Sequence, residues 1–186
     1  MKKNSSTPGN SAYIALLRGI NVGGHKIVKM DQLRKALEAL KFEDVKTYVQ
    51  SGNIVFKAHT QPAETLVRKI EEKVLRQFGF PVPVIVRSSK QIGDVIKKNR
   101  FPEIETSKLY VSFLSGVPES AAVKRLDASK VAPDQFFCCG QEIYLYLPNG
   151  FSGAKLSVNA FEKALSVSAT TRNWNTVTRL YEMSLG

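Results

Sequence analysis

The chain has 186 residues, 27 Lys+Arg against 16 Asp+Glu, and a net charge of +11. With 43% hydrophobic and 23% charged residues it has the composition of an ordinary globular protein, and a chain of this length buries roughly 70% of its unfolded surface without staples. No apolar run approaches the ~20 residues of a membrane-spanning helix, and the polar Met1 to Asn10 stretch lacks the apolar segment of a secretory signal.

In chain order, residues 1–11 read as a disordered lead. Tyr13 to Arg18 is a short apolar run, expected as a buried strand. Gly19 to Lys26 is a loop with three glycines. Asp31 is placed to cap a helix whose Leu33, Ala36, Leu37 and Leu40 keep helical spacing. Val45 to Gln50 and Ile54 to Lys57 read as strands around a Ser51-Gly52-Asn53 turn. Pro62 opens a long helix, with Leu66, Ile70, Val74 and Phe78 at four-residue steps, and Gly79 closes it. Val82 to Arg87 is a further strand. The order β-α-β-β-α-β is that of a ferredoxin-like unit.

Ser88 with Gln91 forms a capping-box pattern for another helix through Ile92, Val95 and Ile96. A second series then follows: strand Leu109 to Leu114, helix Glu119 to Leu126, strands Gln135 to Cys139 and Glu142 to Leu147 around Gly140-Gln141. Helix Asn159 to Leu165, strand Val167 to Arg172 and a helix from about Asn175 to Leu185 complete it. The expected architecture is an α+β protein of two ferredoxin-like subdomains, residues 12–87 and 108–186, joined by a helix and loop at 88–107, with an extra C-terminal helix. The halves share an order of elements and no evident sequence identity.

Charge is unevenly divided. Residues 1–100 hold 19 basic and 8 acidic side chains, and residues 101–186 hold 8 of each. All the excess therefore lies in the first half, which points to an anionic partner or to a solvated basic face. The two cysteines, Cys138 and Cys139, are adjacent and poorly placed to bridge. Without a disulfide framework or a signal, a cytoplasmic setting is expected.

In a ferredoxin-like unit the first and third strands are antiparallel neighbours. The loop leaving the first strand and the hairpin between the second and third should then share one end of the sheet. Arg18, Asn21, Gly23, Gly24, Lys26, Gln50, Ser51 and Asn53 are expected to converge there. Glycines let backbone N–H groups approach an anion closely and a lysine adds charge. The loop misses the nucleotide-phosphate motif, because His25 separates Gly24 from Lys26 and no Ser or Thr follows, which argues against nucleotide hydrolysis. Read as anion site or as structural glycine loop, it admits both.

The segment Thr170 to Thr176 is unusually polar around the sole tryptophan. Arg172 has the fork geometry for a carboxylate or phosphate, and Trp174 the ring for stacking. In the alternative, Asn173 or Asn175 caps the last helix and Trp174 packs the two halves together. Tyr110, Tyr144 and Tyr146 could form a base-stacking face, though the companion RNA-binding signature is missing. His25 and His59 lack metal-ligand spacing.

The stretches Leu17 to Gly24, Tyr48 to Asn53 and Thr170 to Val177 together resemble the bacterial family called domain of unknown function 1697. The resemblance runs from about Tyr13 to Tyr181 and rests on three separated motifs in order. Val49 stands where Ile is expected. What the resemblance implies is a two-part α+β protein with ferredoxin-like subdomains; it brings no activity, cofactor, metal or catalytic residue. The functional expectation is a protein binding a nucleotide, nucleic acid or phosphorylated metabolite in a cleft between the glycine loop and a segment carrying Thr171, Arg172, Asn173 and Trp174. The alternatives are an enzyme on a small anionic metabolite, with His25 or Lys26 as acid or base, and a structural or partner-binding protein. No membrane partner is expected, and a monomer is favoured.

Overall fold

The computed structural model describes residues 9–126 and 128–186. Of the lead expected over residues 1–11, Met1 to Pro8 lie outside them, and Asn10 and Ser11 belong to the first strand. The described residues form two compact units. Unit 1 runs to Gln91 and takes in Glu182–Gly186; unit 2 is Ile92–Tyr181.

Unit 1 contains strand β1 (Asn10–Leu17), helix α1 (Met30–Glu38), strands β2 (Glu43–Tyr48) and β3 (Asn53–His59), helix α2 (Ala63–Phe78) and strand β4 (Val84–Ser88). Its antiparallel sheet has the order β2-β3-β1-β4, the ferredoxin-like arrangement expected. The alternation of β1 sends Ala15 and Leu17 to one face. There they join Ile54 and Phe56 of β3, Val84 and Val86 of β4, Leu33 and Leu37 of α1, and Leu66, Ile70 and Val74 of α2. Each such side chain contributes about 1.5–3 kcal/mol on burial. Phe42 stacks on Phe56 at 4.5 Å.

Helix α2 follows Pro62 and ends on Gly79 in the left-handed region, whose N–H donates to Leu75 O. Several starts differ from expectation by one to three residues: β2 begins at Glu43, β3 at Asn53 and β4 at Val84. β1 begins at Asn10, three residues before Tyr13, because Asn10 to Ala12 continue the pairing with β3. α1 begins at Met30 on an N-cap Lys29 that offers no side-chain bond. Asp31 is therefore inside the first turn, where its charge still meets the helix dipole favourably.

Helix α3 (Ser89–Lys97) starts on the expected capping box. Ser88 N–H donates to Gln91 Oε1 at 2.8 Å, and Gln91 N–H donates to Ser88 Oγ at 3.2 Å. Unit 2 then contains β5 (Leu109–Leu114), α4 (Ser120–Lys124), β6 (Gln135–Cys139), β7 (Glu142–Tyr146), α5 (Val158–Leu165) and β8 (Ala169–Asn173), followed by helix α6 (Trp174–Leu185). Its sheet order, β6-β7-β5-β8, repeats that of unit 1. Leu114, Ile143, Leu145 and Ala169 form one face with Ala122, Phe161 and Leu165.

The repeat goes beyond order. Leu17 of β1 pairs with Val84, as Leu114 of β5 pairs with Ala169. Leu17 N–H donates to Gly52 O, and Leu114 N–H to Gln141 O. Arg18 N–H donates to Pro83 O, and Ser115 N–H to Ser168 O. The match carries Arg87 onto Arg172 and Ser88 onto Asn173. Each of the latter caps the helix that follows: Thr176 N–H donates to Asn173 Oδ1 at 2.7 Å.

Gly52 is the tightest point of unit 1. Its φ is +71°, and a β-carbon there would lie 2.7 Å from Leu17 Cβ and 2.8 Å from Ile20 Cδ1. Gly52→Ala combines a left-handed backbone with overpacking, and it should lower the unfolding free energy by about 2–4 kcal/mol in urea titration. Gly140→Ala, at the matching hairpin but with open space around it, should cost only about 1 kcal/mol.

Candidate functional site

At the end of β1 the backbone is held on both sides, by Gly52 O and by Pro83 O. The loop that follows therefore meets the β2–β3 hairpin, as the topology requires. Asn21 ties the two together. Its Nδ2 donates to Val28 O at 3.0 Å and to Gln50 O at 2.8 Å, while its Oδ1 accepts from Val28 N–H at 2.8 Å. It sits at φ +54°, a region Asn tolerates better than most residues.

Between these anchors the loop folds into a miniature hairpin. Asn21 N–H donates to Lys26 O, and His25 N–H to Val22 O. The central residues Gly23 and Gly24 have φ of +58° and +77°, the signs of a type I′ turn. Their own N–H groups have no acceptor among the described residues. Lys26 reaches across to donate to Pro81 O at 2.9 Å. The side chains of His25, Lys29 and Gln50 are exposed and have no hydrogen-bond partner among the described residues. Arg18 is half-buried.

The hairpin residues divide differently. Asn53 is fully buried, and its Nδ2 donates to Tyr48 O at 3.1 Å and Ser51 Oγ at 2.9 Å. Asn21, Ser51 and Asn53 are thus the scaffold of this end. Gly23, Gly24, His25, Lys29 and Gln50 are its free groups. Three residues not named as site residues from the sequence also stand here, the exposed Val22, Ile27 and Val49. The available signal was apolar side chains set in a glycine loop and a turn without helical or strand periodicity.

The segment around Trp174 belongs to unit 2. Arg172 lies in register with Val111 and is 8% exposed. Its Nη1 donates to Thr170 Oγ1 at 2.7 Å and Thr171 O at 2.8 Å. Burial pushes its guanidinium down to about 10, which leaves it charged at neutral pH. Thr171 donates to Ser112 Oγ, Asn173 caps α6, and Trp174 is buried. Of the structural alternative read from the sequence, the cap on the last helix is present and is supplied by Asn173.

Tyr110 pairs with Leu145, one residue out of step from the Val111–Tyr144 pair. It therefore faces away from Tyr144 and Tyr146. Tyr144 is itself buried, and its hydroxyl donates to Val95 O of α3. A shared three-tyrosine stacking face is thus excluded by register. Cys138 packs toward the core while Cys139 points the other way, and burial raises the Cys138 thiol to about 11. Among the described residues no group of three or more His, Cys, Asp or Glu is placed to hold a metal. No described helix is long and apolar enough to cross a membrane. His25 lacks the orienting hydrogen bond of a positioned general base.

A two-unit α+β protein with a glycine loop clamped to a Gln-Ser-Gly-Asn hairpin is the class these features define. The chain belongs to the family described as "Protein of unknown function (DUF1697)", whose model matches residues 11–144. The match ends within β7, so the motif around Trp174 lies beyond it. Among solved structures the chain is similar to "conserved bacterial protein SP0830 from Streptococcus pneumoniae". The TM-score is 0.67 at 22% identity, over 95% of this chain and 99% of that one; the likeness is one of fold. No curated protein matches the chain.

Asn21→Ala removes three hydrogen bonds at a left-handed position and should destabilise unit 1 by about 2–3 kcal/mol, with faster proteolytic nicking of the loop. Asn21→Asp should be as damaging, because it puts an acceptor against two carbonyl oxygens. Arg172→Ala should lower the unfolding free energy by about 2 kcal/mol through lost packing and an orphaned Thr170 hydroxyl, measurable in urea without any ligand present.

Proposed function

We propose that the loop end of unit 1 binds an anionic ligand: a nucleotide, nucleic acid or phosphorylated metabolite. The observation that carries this reading is the pair of unused N–H groups at Gly23 and Gly24. Consecutive donors at positive φ make a concavity suited to phosphate oxygens, and His25, Lys26 and Lys29 stand beside them in sequence. The loop from Arg18 to Lys29 contains no carboxylate. Outside the loop, Asp31 is in the first turn of α1, Glu71 and Glu72 line a shallow pocket with Pro81, and Glu71 Oε1 accepts from Val84 N–H. A cytoplasmic setting goes with this reading, and the two unbridged cysteines fit it.

A structural role is favoured by a different observation, the internal use of Asn21, Ser51 and Asn53. Calorimetric titration separates the two. ATP, pyrophosphate and a short single-stranded oligonucleotide would each be added at ~50 and ~200 mM salt. Binding of at least one should weaken as salt rises. Lys26→Gln/Lys29→Gln should weaken it about tenfold, close to 1.4 kcal/mol, with the melting temperature nearly unchanged. Failure of every probe to bind at low salt would leave the structural reading standing.

A further inference from the structure

Seven large apolar side chains stand exposed among the described residues, and three lie on this one end of unit 1. Val22 is 67% exposed, Ile27 60% and Val49 51%. All three are tied to the same amide. Ile27 precedes Val28, whose N–H and carbonyl both bond Asn21. Val49 precedes Gln50, whose carbonyl accepts from it, and Val22 follows it in the chain. Val49 also has a φ of +49°, an unfavourable backbone for a β-branched side chain. Burial does not compensate it, since the side chain is half in water. Strain of this kind, held at an exposed position, is characteristic of binding surfaces. The same loops carry Arg18, His25, Lys26 and Lys29, and neither 18–29 nor 48–53 holds an acidic residue.

A surface that is cationic and apolar together suits a ligand that is anionic and apolar together. Resting on the anion-binding reading above, we propose that the ligand is a single-stranded nucleic acid. Its phosphates meet Gly23, Gly24 and the cations, and its unstacked base faces lie on Val22, Ile27 and Val49. A duplex turns only phosphates and groove edges outward and leaves the apolar side chains without a partner. A single strand presents base faces at every step, an apolar surface that Val22, Ile27 and Val49 can cover from water. An anionic bilayer shares the charge, but insertion uses Trp, Phe and Leu side chains that reach past the headgroups. The large apolar side chains exposed here are β-branched ones only.

The test is fluorescence anisotropy with a fluorescein-labelled, mixed-sequence single-stranded DNA and the same strand annealed to its complement. Sedimentation with phosphatidylserine/phosphatidylcholine vesicles runs alongside. The single strand should bind at least ~10-fold more tightly than the duplex. Val22→Ser/Ile27→Ser should lower single-strand affinity about 5- to 10-fold and leave the weak duplex affinity unchanged. Lys26→Gln/Lys29→Gln should lower both. Val49→Asn should raise the melting temperature, since Asn accepts the left-handed backbone, while weakening single-strand binding; a merely structural Val49 would not separate those two readouts. Equal binding of strand and duplex would overturn the single-strand inference and leave the anion reading intact. Binding to vesicles with none to the oligonucleotides would overturn it in favour of a membrane surface. No binding to oligonucleotide, vesicle, ATP or pyrophosphate would overturn both.

Discussion

Strand β1 is hydrogen-bonded along both edges and buried through Ile14, Ala15, Leu16 and Leu17 at no more than 1% exposure. A strand so placed has no water to satisfy its last backbone groups, so they must pair with the neighbouring turns. Leu17 N–H takes Gly52 O on one side and Arg18 N–H takes Pro83 O on the other. This requirement draws the glycine loop, the β2–β3 hairpin and the segment before β4 to one end of the sheet. The candidate site is a by-product of closing the central strand. The same closure at Leu114 and Ser115 in unit 2 leads only to the short Ser115 to Glu119 connection before α4. Scaffold is therefore common to both units, and the long glycine-bearing loop is what unit 1 adds.

Within that loop, stability and availability fall to different residues. Asn21 and Asn53 use their amides on carbonyl oxygens of the protein itself. Because those bonds hold the loop from its base, the tip at Gly23 and Gly24 can keep its donors unpaired without coming apart. A preorganised tip loses less freedom on meeting a ligand than a flexible one.

Much of the architecture could be read before any coordinates. The continuous apolar run of β1, the four-residue spacing of α2 with its Gly79 stop, and the Ser88–Gln91 capping box are local signals; the helix, its stop and the capping box formed where they were read, and β1 formed with a start three residues earlier. What escaped was set by pairing at a distance. Tyr110 looks like a partner of Tyr144 and Tyr146 until register places it one step out of phase. Arg172 reads as an exposed clamp in a polar stretch, yet its place opposite Val111 turns it inward. Helix α1 starts at Met30, so Asp31 is inside the first turn rather than at the cap. The repeat of element order was legible, but the residue-by-residue match of the halves was not: Leu17 and Leu114 share a register, and their neighbourhoods share little sequence.

The division of the helices has a bearing on how the protein is made. Helix α3 starts in unit 1 and passes into unit 2, while residues 182–186 at the end of α6 belong to unit 1. There the Ser184 and Ser89 hydroxyls bond at 2.7 Å. Between these two partners in unit 1 lies the whole of unit 2, residues 92–181. Ser89 therefore cannot meet Ser184 until all of unit 2 has been synthesised, and bringing together segments so far apart in the chain carries a loop-closure cost that nearby contacts avoid.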